Sequence, residues 1–222
     1  MMGEHAELEH SEIIGGADGP TAIFIADRTQ NPTISQKLQR FFNKTKRRFI
    51  EKRIVPGTHT VEEVGEYLKS RYGFIEVPST NPGLAEEYEQ MRTSFLFEHR
   101  PDLVGEQEID FDIDPSENRE ETLRRLEEKI YKEREIAKSI PMEVFDIDYH
   151  RYTKTGKNIN DSMDIIIERN YAYFGGGAQG SKGYIKKWNK IYKDVYRYYG
   201  VSEQDIQNRT QRYKNLIFEL SM

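Results

Sequence analysis

Cysteine is absent from the 222 residues, which excludes disulfides, thiol nucleophiles and thiolate-bound metals. Long hydrophobic runs are absent too. Apolar stretches such as Thr21–Ala26 reach about six residues, whereas a spanning helix needs roughly twenty, so an integral membrane protein is not expected. The opening Met-Met-Gly-Glu-His-Ala-Glu-Leu-Glu-His is acidic and lacks the basic-then-apolar order of a secretory leader. His5, His10, His59, His99 and His150 show no ligand spacing, and no G-x-S-x-G elbow occurs, so neither a zinc hydrolase nor an acyl-enzyme is expected. These absences fit a soluble, cytoplasmic chain.

Charged residues make up 32% of the chain and hydrophobic ones 36%, so the surface must be heavily charged. Aromatic residues at 12% argue for a packed core, because disordered chains are aromatic-poor. A net charge of −5 conceals strong local segregation and says little about partners.

Residues 12–17 and 21–27 read as two short strands around a turn, with Asp18-Gly19 a hairpin signal and Pro20 directly behind it. A helix over 34–54 places Ile34, Leu38, Phe41, Thr45 and Phe49 on one face. Thr60 with Glu63 predicts a capping box for a helix over 61–72, stopped by Gly73, and Phe74–Val77 reads as a short strand. Asn81-Pro82 opens a helix through Leu84, Tyr88, Met91 and Phe95. A strand Ile109–Ile113 precedes a helix through Leu123, Leu126 and Ile130, which Pro141 ends. Glu143–Thr153 and Met163–Phe174 read as longer strands joined by the turn Lys154–Asp161, with Gly175-Gly176-Gly177 breaking the second. Two helices close the chain. One carries Tyr184, Trp188, Ile191, Val195 and Tyr199; the other begins at Ser202 with Asp205 as box partner and runs through Ile206, Tyr213, Ile217 and Leu220.

The pattern is that of a helix-rich α+β protein with a small antiparallel sheet. No Gly, Ser or Pro linker divides it, so a single domain over 11–222 is expected behind a mobile tail at 1–10. Its parts are an N-terminal hairpin at 12–27, a helical middle at 34–138, and a hairpin plus two helices at 143–220.

Ile13-Ile14-Gly15-Gly16-Ala17-Asp18-Gly19-Pro20-Thr21-Ala22-Ile23-Phe24-Ile25-Ala26 resembles the signature of the membrane β subunit of sodium-translocating decarboxylases. In that family the GGADGPT-type segment is a broken element inside the bilayer, and its aspartate belongs to the sodium pathway. The resemblance implies an ion-path role for Gly15, Gly16, Asp18, Gly19, Pro20 and Thr21. It covers fourteen residues only, and the short apolar runs speak against transport by this chain. In a soluble protein the same residues make an edge hairpin with Asp18 as a turn residue.

Phe-Asp-Ile-Asp occurs twice, at 111–114 and 145–148. On a strand it sets Phe and Ile on one face and both carboxylates on the other, which serves a one-sided sheet. It also offers a D-x-D pair for Mg²⁺ or Mn²⁺, which take oxygen ligands. Asp146 and Asp148 are the better pair, with Asp164 and Glu168 across a turn to complete a site. Asp110, Asp112, Asp114 and Glu121 fall in calcium-loop spacing, but Pro115 occupies the position that needs glycine. The loop Gly175–Gly183 leads into a helix, where amides can receive phosphate, yet it lacks Walker spacing.

Two helices are strongly basic. In 37–53, Lys37, Arg40, Lys44, Lys46, Arg47, Arg48, Lys52 and Arg53 are opposed by Glu51 alone. In 182–199, Lys182, Lys186, Lys187, Lys190, Lys193 and Arg197 are opposed by Asp194, with tyrosines at 184, 192, 196, 198 and 199 interleaved. Such surfaces stack bases and neutralise phosphates, although the same tyrosines can serve as core.

A binding protein is therefore expected, its partner a protein or a nucleic acid held through Arg47, Arg48, Lys52, Lys186, Lys187, Lys190 and Tyr192. One alternative is a Mg²⁺- or Mn²⁺-dependent nucleotidyl or phosphoryl transferase, or a nuclease, using Asp146, Asp148 and Asp164. The other is a soluble accessory protein related by motif to the decarboxylases, without transport.

Overall fold

The structure, a computed structural model, describes residues 34–105 and 119–222. The tail at 1–10, the hairpin at 12–27 with its decarboxylase-like residues, and the first Phe-Asp-Ile-Asp at 111–114 lie outside the described residues. Helix dominates, and the strands form two small antiparallel sheets, so the chain is helix-rich α+β as the pattern implies. No helix among the described residues is long and apolar enough to cross a membrane.

Cα packing groups the described residues into two compact units. Val77–Tyr149 forms the second unit, inserted into a first made of the flanking sequence. The chain leaves the first unit after Glu76 and re-enters it at His150, on strands that pair at Ile75↔Thr153. Paired strands need no flexible linker, so composition does not mark the boundary.

The first unit comprises α1 (Ile34–Glu51), β1 (Gly57–Thr58), α2 (Val61–Tyr67) with a π-helical turn (Leu68–Tyr72), β2 (Ile75–Glu76), β3 (Tyr149–Thr155), β4 (Ser162–Glu168), β5 (Tyr173–Gln179), α6 (Lys182–Tyr199), β6 (Gly200–Val201), α7 (Glu203–Asn208) and α8 (Gln211–Ser221). Its larger sheet has the order β2-β3-β4-β5, and β1 pairs with β6. Both predicted capping boxes form, Thr60 with Glu63 and Ser202 with Asp205. The last predicted helix is two helices, because Arg209 takes a left-handed conformation (φ 48°) and Thr210 caps a new start.

Met163, Ile165 and Ile167 alternate onto the buried face of β4 and join one apolar cluster with the buried side of α6, Trp188, Tyr192, Val195 and Tyr196 among it. The expected strand Met163–Phe174 is in fact β4 and the start of β5. Its break falls at 169–172, where the buried Glu168 carboxylate accepts from Asn170 N–H (3.1 Å) and Tyr171 N–H (2.7 Å) and Ala172 turns left-handed. The three glycines expected to break it lie inside β5, paired with Asp164, Ile165 and Ile166. Their placement follows from packing: a Cβ on Gly176 would stand 2.9 Å from the Trp188 ring and 2.4 Å from the Asp164 carbonyl oxygen.

The second unit contains α3 (Pro82–His99), α4 (Pro101–Val104) and α5 (Arg119–Ser139), with α3 capped by Asn81. Buried Arg92 of α3 has no carboxylate but four hydrogen bonds to carbonyls, from 2.6 to 3.1 Å, at Ala137, Ile140 and Phe145. Two of these acceptors lie at or just past the end of α5, where a cation complements the helix dipole. The strand expected over Glu143–Thr153 begins only at Tyr149, since 141–148 is held as a turn by these bonds and by Phe145 N–H to Pro141.

Burial in α8 raises the Glu219 carboxyl from its ordinary 4.5 to about 7, with Lys193 opposing the shift. The folded state thus binds more protons than the unfolded one between those values, and stability falls as pH rises through that window. Glu219→Gln is expected to stabilise by on the order of 2 kcal/mol at about pH 8 and to change little at about pH 4, as read by thermal melting. Gly176→Ala should cost about 2–3 kcal/mol in urea unfolding, whereas Gly177→Ala, with nothing within 4 Å, should cost less than about 1 kcal/mol.

Candidate functional site

The structure moves the aromatic part of the expected nucleic-acid surface from one helix to another. In α6, Ser181 caps the start, and Tyr184, Trp188, Ile191, Tyr192, Val195, Tyr196 and Tyr199 are buried along one side. Tyr192 is 2% exposed and stacks on Trp188 at 4.7 Å, so it is core and presents no face to a base. Burial pushes its phenol well above the usual range, which keeps it neutral. Lys186, Lys187 and Lys190 occupy the opposite, exposed side.

α1 has the reverse character. Phe41, Phe42 and Phe49 are 64%, 65% and 54% exposed, although Phe41 and Phe49 belong to the apolar face expected to be buried. Ile50 and Ile54 make the contact with the core instead. Arg48, Lys52 and Lys44 are exposed beside these rings, and Arg47 pairs with Glu51 at 3.5 Å. No ion pair holds Lys44, Arg48, Lys52, Lys186, Lys187 or Lys190 among the described residues. Lys46 is directed elsewhere, donating to the Ser221 and Met222 carbonyls at the end of α8.

The carboxylates singled out for a metal have other partners. Asp146, in the second unit, accepts from the Tyr88 hydroxyl and from Ile147 N–H at 2.7 Å. Phe145 and Ile147 are buried and Asp146 is exposed, so the alternation expected of a strand survives without one. Asp148 is half-buried in the same stretch. Asp164 lies on β4 in the first unit and takes Arg151 at 3.0 Å, while Glu168 caps the β4–β5 turn. No group of three His, Asp or Glu side chains suited to a metal ion occurs among the described residues.

At the loop before α6, Ser181 N–H donates to Asp161 Oδ1 at 3.1 Å, and Ser181 Oγ accepts from Tyr184 N–H. A phosphate there would meet an acid already in place. Gly180, at φ +139°, is required by the same contact, because a Cβ would stand 2.3 Å from Asp161 Oδ1.

Sequence reading missed a cluster centred on Asp194. Tyr67 and Tyr72 both donate to its Oδ2, at 2.6 and 2.7 Å. A regular helix would not align residues five apart; the π-helical turn Leu68–Tyr72, whose bonds close i→i+5, does so. Tyr67 also stacks on Tyr198 at 4.0 Å, Tyr198 stacks on His59 at 3.8 Å, and His59 Nδ1 donates to the Tyr198 carbonyl at 2.6 Å. Burial works to raise the Asp194 carboxyl, but the two hydroxyls together with the charges of Arg197 and Arg71 outweigh it and hold the group below its ordinary 3.8. Gly73 after two tyrosines five apart is the only signal the sequence offers for this arrangement.

Compared with protein-family models, curated proteins and solved structures, the chain has no match.

Because the folded Asp194 is the stronger acid, its contribution is complete above the unfolded value of 3.8 and is lost as pH falls below it. Asp194→Asn should cost about 1–2 kcal/mol near neutral pH in urea unfolding, with the deficit shrinking as the pH falls below 3.8.

Proposed function

We propose that the chain is a soluble binding protein that holds single-stranded nucleic acid along α1, with the lysines of α6 extending the positive surface. The observation that supports this reading is the interleaving on α1 and just past it of Phe41, Phe42 and Phe49, all more than half exposed, with Lys44, Arg48 and Lys52, which form no ion pair among the described residues. Exposed rings offer stacking faces of about 1–3 kcal/mol per base, and unpaired lysines and arginines release counterions from phosphates. Neither element reads base edges, so little sequence preference is expected. The absence of a three-carboxylate cluster among the described residues gives the metal-enzyme alternative no comparable support.

The test is fluorescence anisotropy with a labelled oligouridine over a salt series. Affinity should fall steeply from low to moderate salt. Phe41→Ala with Phe42→Ala should weaken binding roughly tenfold or more, and Lys186→Glu, Lys187→Glu and Lys190→Glu together should flatten the salt slope. A flat salt dependence, or full affinity in the phenylalanine variant, would overturn the proposal in favour of a protein partner for α1.

A further inference from the structure

Within the first unit a cleft of about 490 Å³ opens between the end of α1, the segment that follows it, the end of α6 and α8. That volume lies in the range of small-molecule sites, roughly 300–1,000 Å³. Its floor is aliphatic, formed by Ile50, Ile54, Leu216 and Leu220. Apart from two arginines, the lining side chains carry no hydrogen-bonding group. The backbone contributes little more, because the Gly200 carbonyl already accepts from Arg212 Nε at 2.8 Å. A sugar or a nucleobase, which must satisfy several polar edges when buried, would lose hydrogen bonds here.

The arginines are Arg53, from the segment after α1, and Arg197, from the last turn of α6. Both are exposed, and neither forms an ion pair among the described residues. Arg53 lies over the Phe49 ring at 3.9 Å, which holds its guanidinium beside the cleft. Lys193 is close enough to Lys46 and Arg197 for its ammonium to be lowered by them after the larger effect of burial, so the positive field continues along α6. Of the acids nearest this field, Glu51 pairs with Arg47 and Glu219 is 2% exposed, while Asp194 takes the two tyrosine hydroxyls and lies near enough to Arg197 to feel its charge without forming an ion pair. An aliphatic floor beneath two exposed guanidinium groups, neither in an ion pair among the described residues, complements an alkyl chain that ends in an anion, and the planar fork of arginine suits a carboxylate.

We infer that this cleft binds a free medium-chain aliphatic carboxylate, its chain on the floor and its carboxylate between Arg53 and Arg197. The site shares Phe49 with the nucleic-acid reading but uses neither Phe41 and Phe42 nor the lysines at 186, 187 and 190, and the two readings are tested on those separate residues.

The experiment is calorimetric titration of the full chain with decanoate below its micellar concentration, alongside thermal melting. Decan-1-ol and acetate serve as probes lacking the charge or the chain. One-site binding of decanoate with a raised melting temperature is expected, with decan-1-ol at least tenfold weaker and acetate giving no heat. Arg53→Gln with Arg197→Gln should weaken decanoate at least tenfold and leave decan-1-ol unchanged, and Val55→Asp, at an exposed lining position, should weaken both. Absence of decanoate binding, equal binding of decan-1-ol, or full decanoate affinity in the double arginine variant would each overturn the assignment. Oligouridine binding in the same variants reports on the other reading independently.

Discussion

The first unit depends on how closely a helix can lie on a sheet. Trp188 is the largest buried side chain among the described residues, and its ring tip lies where the facing strand position carries no side chain. β5 supplies that position with Gly176, at the usual cost of glycine in a strand. With the indole seated, the apolar stripe of α6 follows: Tyr192 stacks on it, Phe174 meets Tyr192, Tyr196 and Tyr199 edge-on or tilted, and α8 closes the far side. Stacked and edge-to-face rings add to the burial term, so this layer is the core of the unit. A side effect is that every lysine at 186, 187 and 190 is forced outward, and the charge of α6 becomes surface charge.

The second unit relies on a different device. Arg92 sits in the interior with carbonyl oxygens as its hydrogen-bond acceptors. Carbonyls past a helix end carry partial negative charge, and four hydrogen bonds fill most of the guanidinium's donor capacity. The same bonds fold 141–145 into a turn, which leaves Asp146 beside Tyr88 and delays the start of β3.

Local chemistry was readable in the sequence and distant packing was not. Thr60, Asn81 and Ser202 cap helices as their neighbours indicate, because a cap is settled within four residues. Fold class followed from periodicity alone. The glycine triplet was misread because its middle member, Gly176, answers to Trp188 on a helix that comes later in the chain. The strand over 143–153 was misread because Arg92, some fifty residues earlier, holds its first half as a turn. The basic residues at 47, 48, 52, 186, 187 and 190 were identified correctly as exposed, but the ring beside them was assigned to Tyr192 when the exposed rings are on α1. Amphipathic patterning shows that a helix has two faces; which aromatics it buries depends on what packs against it.

The π-helical turn after α2 has a consequence for how this region can vary. Tyr67 and Tyr72 reach one carboxylate oxygen because a single extra residue is accommodated between them, with Gly73 N–H bonding back to Leu68. Between the two rings, Leu68 is buried, Lys69 pairs with Glu66 and reaches Glu76 at 3.9 Å, and Ser70 bonds only to carbonyls one turn back, so side-chain identity is loosest at Ser70. The number of residues is not loose. Removing one residue would restore a regular helix and rotate Tyr72 off Asp194, and adding one would do the same in the opposite sense. What is fixed here is a count, so the segment can drift in composition while its length stays locked to a side chain more than a hundred positions away.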